Sequence, residues 1–317
     1  MHLSAEPKAI VSTSPASNYA LTAVVSTHAR PVEVRQAIEA IRNQEFDGRI
    51  ETIVVYDKAE PDRSLESDDS TRPVRVVVNH NTPGLPGSRN TGAELAQAAW
   101  IGFCDDDDVW HPTKVAKQLA ELERSGADTC ITGIDVVTKG ERIPRVGEEP
   151  QLRLEHLLLS RRLEAHMSCT VVNRDAFFGP IGRVEEHIPG GCSEDYDWIL
   201  RAARHGPVAV VREPLVDIRW AGSHFRDKWP DWEGAHRFVL DRFPEFDEVP
   251  SGKARLEGQL AFAIAAQGRR GEAVRHVGTT LRWNWREPRA YLALLVASGV
   301  VGADRIVAEL NKRGRGI

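Results

Sequence analysis

The run Trp100-Ile101-Gly102-Phe103-Cys104-Asp105-Asp106-Asp107-Asp108 decides the fold. Five uncharged residues, enough for a short buried strand, give way abruptly to four carboxylates, which places the acidic group at a strand's carboxyl end. In extended backbone alternate side chains share a face, so Asp105 and Asp107 are expected to address one ligand together. Carboxylates held this close repel unless a cation is bound. An oxygen-only donor set with few protein ligands suits Mg²⁺ or Mn²⁺ bridging to phosphates.

Upstream, the chain alternates strand and helix signals. Leu21 to Ser26 is an apolar run of strand length; Pro31 suits a first helical position, and Val34, Ile38 and Ile41 then recur on one helical face. Thr52 to Tyr56 and Val74 to Asn79 are further strands, and Ser88 to Ala99 reads as a helix. Strands separated by helix-length connections predict a mostly parallel α/β sheet flanked by helices, and in such sheets ligands bind beyond the strands' carboxyl ends. The turn Gly84-Leu85-Pro86-Gly87-Ser88-Arg89-Asn90 enters its helix one strand before the aspartates. Free N–H groups there favour an anion, and Arg89 adds a positive charge, although the Gly-Lys-Ser/Thr ending of a P-loop is missing.

Downstream come a charged helix (Lys114 to Arg124), a strand (Thr129 to Val137), a Leu-rich segment, a strand candidate (Cys169 to Asn173) and the loop Pro189-Gly190-Gly191-Cys192. The acidic cluster Ser193-Glu194-Asp195-Tyr196-Asp197-Trp198 follows, opening a helix. Acidic residues in a first turn are ordinary, because the helix dipole favours them, but a carboxylate kept ionised there also suits a general base. Trp198 offers an apolar face for a sugar. A shift to Pro, Gly and acidic residues around 244–252 marks a boundary, so the chain divides into an arm (1–20), a main domain (21–248, halves 21–137 and 138–248) and a C-terminal helical region (249–317). That last region has helix spacing similar to tetratricopeptide repeats but is too short for three of them.

The 317 residues carry 41 Lys and Arg against 46 Asp and Glu, a net charge of −5, so the whole molecule offers no large positive field for nucleic acid or an anionic membrane. Cys104, Cys130, Cys169 and Cys192 are widely spaced and read as structural thiols of a reducing, cytoplasmic compartment. No stretch approaches the ~20 apolar residues of a membrane span.

In order and approximate spacing, VVSTHARP, IETIVVYD, GLPGSRNTG, FCDDDDVW and SEDYDW resemble family-2 glycosyltransferases of the GT-A fold, from about Leu21 to His224. The resemblance implies an inverting, metal-dependent enzyme using a nucleotide sugar, with a uridine diphosphate sugar as the default donor. It also implies that Thr27, Arg30 and Asp57 line the nucleotide pocket, with His28, Gly84 and Asp106 in the same donor-binding set. Arg89 would approach the diphosphate, Asp105 the ribose, and Asp107 the Mn²⁺ or Mg²⁺ ion, with His224 where some relatives supply another metal ligand. Asp195 would be the catalytic base, with Glu194 beside it.

Two features depart from the family pattern. Tyr56-Asp57-Lys58-Ala59 lacks the second acidic residue and Gly-Ser that many members carry after the second strand, and Val216-Asp217-Ile218-Arg219-Trp220 replaces the Gln-x-x-Arg-Trp of processive members. Transfer of a single sugar is therefore expected. The acceptor is left open among a glycan, a metabolite, a lipid carrier and a peptide, and the assembly is left open to a homodimer. Two other readings compete: a haloacid-dehalogenase-like phosphohydrolase with Asp105 as nucleophile, and a glycosyltransferase fold kept only for binding.

Overall fold

A computed structural model describes residues 18–138, 140–162, 164–219 and 228–312. The first half builds β1 (Leu21–Thr27), α1 (Pro31–Arg42), β2 (Ile50–Tyr56), β3 (Val74–Val78), α2 (Leu85–Leu95), β4 (Trp100–Asp105), β5 (Val109–Trp110), α3 (Lys114–Ser125) and β6 (Thr129–Thr138). There follow β7 (Glu141–Arg145), β8 (Gln151–Leu152), α4 (Leu154–Leu159), β9 (Val171–Asn173), α5 (Arg174–Phe178), α6 (Glu194–His205) and β10 (Val208–Arg219). Helices α7 (Trp229–Arg242), α8 (Pro250–Ala266), α9 (Arg270–Trp283), α10 (Pro288–Ser298) and α11 (Ala303–Lys312) complete the described chain.

The sheet runs β3-β2-β1-β4-β9-β6-β10-β5, with β7 on β6 and β8 on β10. Strands β3, β2, β1 and β4 are parallel, as expected of β1 and β2, whose residues are buried along their whole length. Short β9 runs antiparallel to both β4 and β6, so the sheet is mixed. In the chain's winding β2 and β3 lie on one side of β1 and β4 on the other, which opens a crevice between β1 and β4. Register levels the strand ends there: Thr27 pairs with Tyr56, and Ser26 with Asp105.

Helix α2 begins at Leu85 rather than Ser88, because Gly84 takes a φ of 131° that suits glycine and Pro86 sits in the first turn. It ends at Leu95 rather than Ala99, since the Gln97 and Ala98 N–H groups leave the helix to donate to Glu51 (2.7 Å) and Thr22 (3.1 Å). Gly92 lets α2 lie close on β1: a Cβ there would fall 2.2 Å from Val24 Cγ1.

Helix α8 rests on the main domain as well as on its neighbours. Gly252 meets the Leu158 carbonyl, and Arg255 donates to the Tyr196 hydroxyl at 2.8 Å. Further along, Ala261 and Phe262 join Val277, Ala290, Ala293 and Ala303 in a second, smaller core.

Candidate active site

The ends of β1, β2 and β4 and the start of α2 enclose a cavity of about 360 Å³, lined by Thr27, His28, Arg30, Asp57, Leu85, Ser88 and Asp105 to Asp107, with Ser26 at its base. Of the residues the sequence singled out for donor binding, Thr27, His28, Arg30, Asp57, Asp105, Asp106 and Asp107 meet here. Gly84 caps α2 beside them, its carbonyl accepting from Ser88.

Asp106 is the organiser of the β1 side. It is buried and accepts from Thr27 Oγ1 (2.7 Å) and Arg30 Nη1 (3.0 Å), and more weakly from the His28 N–H at 3.4 Å. Burial raises its carboxyl pKa, against the pull of Thr27 and Arg30. The same Arg30 nitrogen reaches Asp107 at 2.5 Å, and Asp107, one-third exposed, faces the cavity mouth. On the β2 side His28 Nδ1 lies 2.6 Å from the Asp57 carbonyl, while Asn79 donates to the Asp57 carboxylate.

Two expectations need correction here. Arg89 is not a mobile charge facing the diphosphate: it is 2% exposed, with Nη2 2.8 Å from Asp105 and Nη1 2.9 Å from Glu194. Its position inside α2, a turn below the helix start, points it down between the two carboxylates. Trp198 presents no face to a sugar either. It is fully buried, its ring centroid 6.0 Å from that of Phe177 and its Nε1–H donating to the Gly182 carbonyl. The expected metal ligand His224 lies outside the described residues.

Asp195 stands near this group at the start of α6, after Ser193 in the left-handed region (φ 67°). Arg161 Nη2 sits 3.0 and 2.9 Å from its two oxygens, and Oδ1 also accepts the Tyr196 N–H at 2.7 Å. Burial would raise the Asp195 pKa, but the charges of Arg161, His166 and Arg89 outweigh it and hold the carboxyl below its ordinary value. Asp105 behaves alike: burial is outweighed by Arg89 and His166. Glu194 shifts the other way, raised by burial and by Asp195 against Arg89. The two neighbouring carboxyls are therefore pushed in opposite directions, Asp195 down and Glu194 up.

Arg161, His166 and Ser168 escaped the sequence reading, since each reaches the site from the irregular stretch between α4 and β9. The Ser168 hydroxyl donates to Asp108 (2.6 Å) and accepts the Asp105 N–H (3.0 Å), and His166 lies 3.8 Å from both Asp105 and Asp108. Asp105, Asp108 and His166 are close enough to share a cation, as are His111, Asp135 and Asp217. Asp108, however, is buried beneath Ser168, and Asp217 is already paired with Arg142 at 2.6 Å, which leaves Asp107 the most accessible carboxylate of the strand end. A larger, open depression of about 710 Å³ behind α1 includes Arg35, Glu39, Arg142, Asp217 and Arg219; within it Asp217 is paired with Arg142, and Arg35 is paired with Asp62.

Residues 22–178 match the family model described as glycosyl transferase family 2. An uncharacterized glycosyltransferase of Haemophilus influenzae is 28% identical over 202 residues, covering 62% of this chain and 67% of that protein. The succinoglycan biosynthesis protein ExoO of Rhizobium meliloti is 27% identical over 163 residues, 51% of this chain and 47% of that protein. Among solved structures, S. aureus TarS superposes with a TM-score of 0.61 at 13% identity, over 88% of this chain and 55% of TarS. Its fragment 1–349 in complex with UDP superposes with a TM-score of 0.57 at 14% identity, over 88% of this chain and 90% of that one. This chain thus spans about half of ExoO and of TarS. The chain belongs to the family-2 glycosyltransferases and has their GT-A fold.

Proposed function

We propose that this glycosyltransferase moves a single sugar from a nucleoside diphosphate sugar to an acceptor hydroxyl with inversion at the anomeric carbon. The observation that carries the reading is the crevice itself: one cavity lined by the ends of β1 and β4 and the start of α2, with the ionised Asp195 held nearby by α6. Asp57, His28 and Thr27 form the nucleoside side, and the first turn of α2 ahead of Ser88, whose own N–H is taken by the Gly84 carbonyl at 3.1 Å, offers its free N–H groups to the diphosphate. The TarS fragment's complex with UDP supports uridine as the base.

The chemistry follows from the charges. Asp195 keeps an oxygen lone pair beyond its bonds to Arg161 and Tyr196, so it can take the proton of an acceptor hydroxyl as that oxygen attacks the sugar. The carbon–oxygen bond to the diphosphate breaks as the new bond forms. Arg30 contributes positive charge beside the leaving group, while Arg89 fixes Asp105 and Glu194 from below. A divalent cation fits this edge, because Asp105 to Asp108 outnumber the guanidiniums of Arg30 and Arg89, and besides burial the neighbouring carboxylates push Asp106 (from Asp107) and Asp108 (from Asp105 and Asp107) upward, a repulsion a cation would relieve. Asp107 would hold it, as Mg²⁺ or Mn²⁺, and when bound it would neutralise charge on the departing diphosphate.

A phosphohydrolase with Asp105 as nucleophile is disfavoured by the Arg89 and Ser168 bonds that fix Asp105, and by the position of its strand as the fourth, after α2. The free thiols of Cys104, Cys130, Cys169 and Cys192 fit a reducing compartment. Incubation with a panel of nucleotide sugars and simple acceptors tests the proposal: nucleoside diphosphate should be released and the product should carry the inverted anomer by NMR. Release of inorganic phosphate from small phosphoesters, or a retained anomer, would reject it.

A further inference from the structure

Among the described residues no helix is long and apolar enough to cross a membrane. We infer instead that the outward face of α9 and α10 lies on the surface of an anionic lipid bilayer. Residues 249–317 carry twelve Lys and Arg against five Asp and Glu, while the preceding 248 residues carry 29 against 41. The modest net charge of the whole chain therefore conceals a basic end on an acidic body.

The basic end also carries an apolar strip. On α10, Ala290, Ala293 and Ala297 are buried, and Tyr291, Leu294 and Leu295, from 36% to 47% exposed, line the solvent side. Trp285 (65% exposed) joins them, because the Tyr291 hydroxyl donates to its carbonyl at 2.6 Å. At the other end Val300 is 75% exposed, and Arg270 packs against the adjoining Gly299. Val274, half exposed, lies one turn along α9 from Arg270.

Four arginines around this strip are exposed. Arg270, Arg275, Arg282 and Arg286 have no carboxylate within ion-pair distance among the described residues, and Arg286 stacks 4.8 Å from the Trp285 ring centroid. Tryptophan and tyrosine amid apolar residues and flanked by free arginines suit the headgroup layer, where rings sink in and guanidiniums meet lipid phosphates. Charge complementarity selects an anionic surface. Like-facing contact with a second copy would instead oppose arginine to arginine.

The inference does not depend on the transfer reaction and is tested without donor or acceptor. The full chain is sedimented with vesicles of phosphatidylcholine alone or with about one-third phosphatidylglycerol, at low and at high salt. Binding should require phosphatidylglycerol and be lost at high salt, where charge attraction is screened. Arg282→Gln with Arg286→Gln, and separately Trp285→Ser with Leu295→Ser, should each lower the partition coefficient roughly tenfold or more. All four positions are exposed or at the surface, so unchanged circular dichroism melting is expected. No binding to phosphatidylglycerol vesicles, equal binding to both compositions, or variants that bind like the parent chain would overturn the inference. So would a dimer in sedimentation velocity that Trp285→Ser dissolves, since that assigns the face to a second copy.

Discussion

Asp105 and Glu194 are joined through a single guanidinium: Arg89, itself 2% exposed, reaches Asp105 at 2.8 Å and Glu194 at 2.9 Å. The end of β4 and the first turn of α6 are thereby locked at a fixed separation. Removing the cation strands two largely buried carboxylates, and such breaks typically cost about 3–5 kcal/mol. Arg89→Ala should lower unfolding stability by that order in urea titration. Arg89→Lys keeps the charge but lacks the fork that spans both partners, so it should recover only part of the loss.

Trp198 should answer to stability rather than to acceptor binding. Its ring fills the space beside Phe177, and truncation of a buried tryptophan costs about 3–5 kcal/mol. Trp198→Phe keeps most of the apolar volume but leaves the Gly182 carbonyl one donor short. Its melting temperature should fall while the Michaelis constant for acceptor stays at the parent value. A raised acceptor constant with unchanged melting would return Trp198 to the binding surface.

Lys114 is fully buried, with its Nζ 2.7 Å from Gln118 Oε1 and 3.8 Å from the Trp110 ring centroid, and burial lowers its pKa to about 8. The unfolded chain, with an ordinary lysine pKa near 10.4, binds more protons than the folded one between about pH 8 and 10.4. Stability therefore rises with pH across that window, and below pH 8 the full cost is present, about 3 kcal/mol. Lys114→Met should melt higher than the parent at pH 7. The gap should narrow by pH 10; a gap independent of pH would contradict the assignment.

The parallel strands and the edge they share were legible because each depends on local pattern: Leu21 to Ser26 is an unbroken apolar run, and Asp105 to Asp108 end another. The boundaries of α2 were not, since its last residues are drawn off by Glu51 and Thr22 from distant strands. The same holds for side-chain roles. Spacing placed Arg89 near the diphosphate, but its direction depends on Glu194, which only the folded chain brings to it. Arg161 had no motif to mark it, because its partner Asp195 lies 34 residues further along the chain, beyond β9 and α5.

Asp107 should be dispensable for folding and essential for donor binding. It is one-third exposed and its ion pair among the described residues is with the half-exposed Arg30, a pair worth little in water. Asp107→Asn should therefore leave thermal melting nearly unchanged. Calorimetry should show the parent binding a uridine diphosphate sugar tightly only with Mn²⁺ or Mg²⁺, and the variant losing that dependence together with most of its affinity. Equal affinity in EDTA would remove the metal from the proposal.

Asp195 and Arg161 make the sharpest test of the chemistry. As the base, Asp195 must be ionised, and the groups facing it are Arg161, His166 and Arg89 on the positive side and Asp105 and Glu194 on the negative. Asp195→Asn keeps the shape and removes the basicity, so turnover should fall roughly 10²- to 10⁴-fold with nucleotide affinity preserved. Arg161→Gln removes the nearest of the cations that hold the carboxyl low. The base then ionises only at higher pH, and the acid limb of kcat/KM should move up the pH axis while the alkaline limb stays. Arg161→Lys retains the charge and should return the limb most of the way. If Arg161 served only to pack against Tyr196, both variants would lower activity equally at every pH.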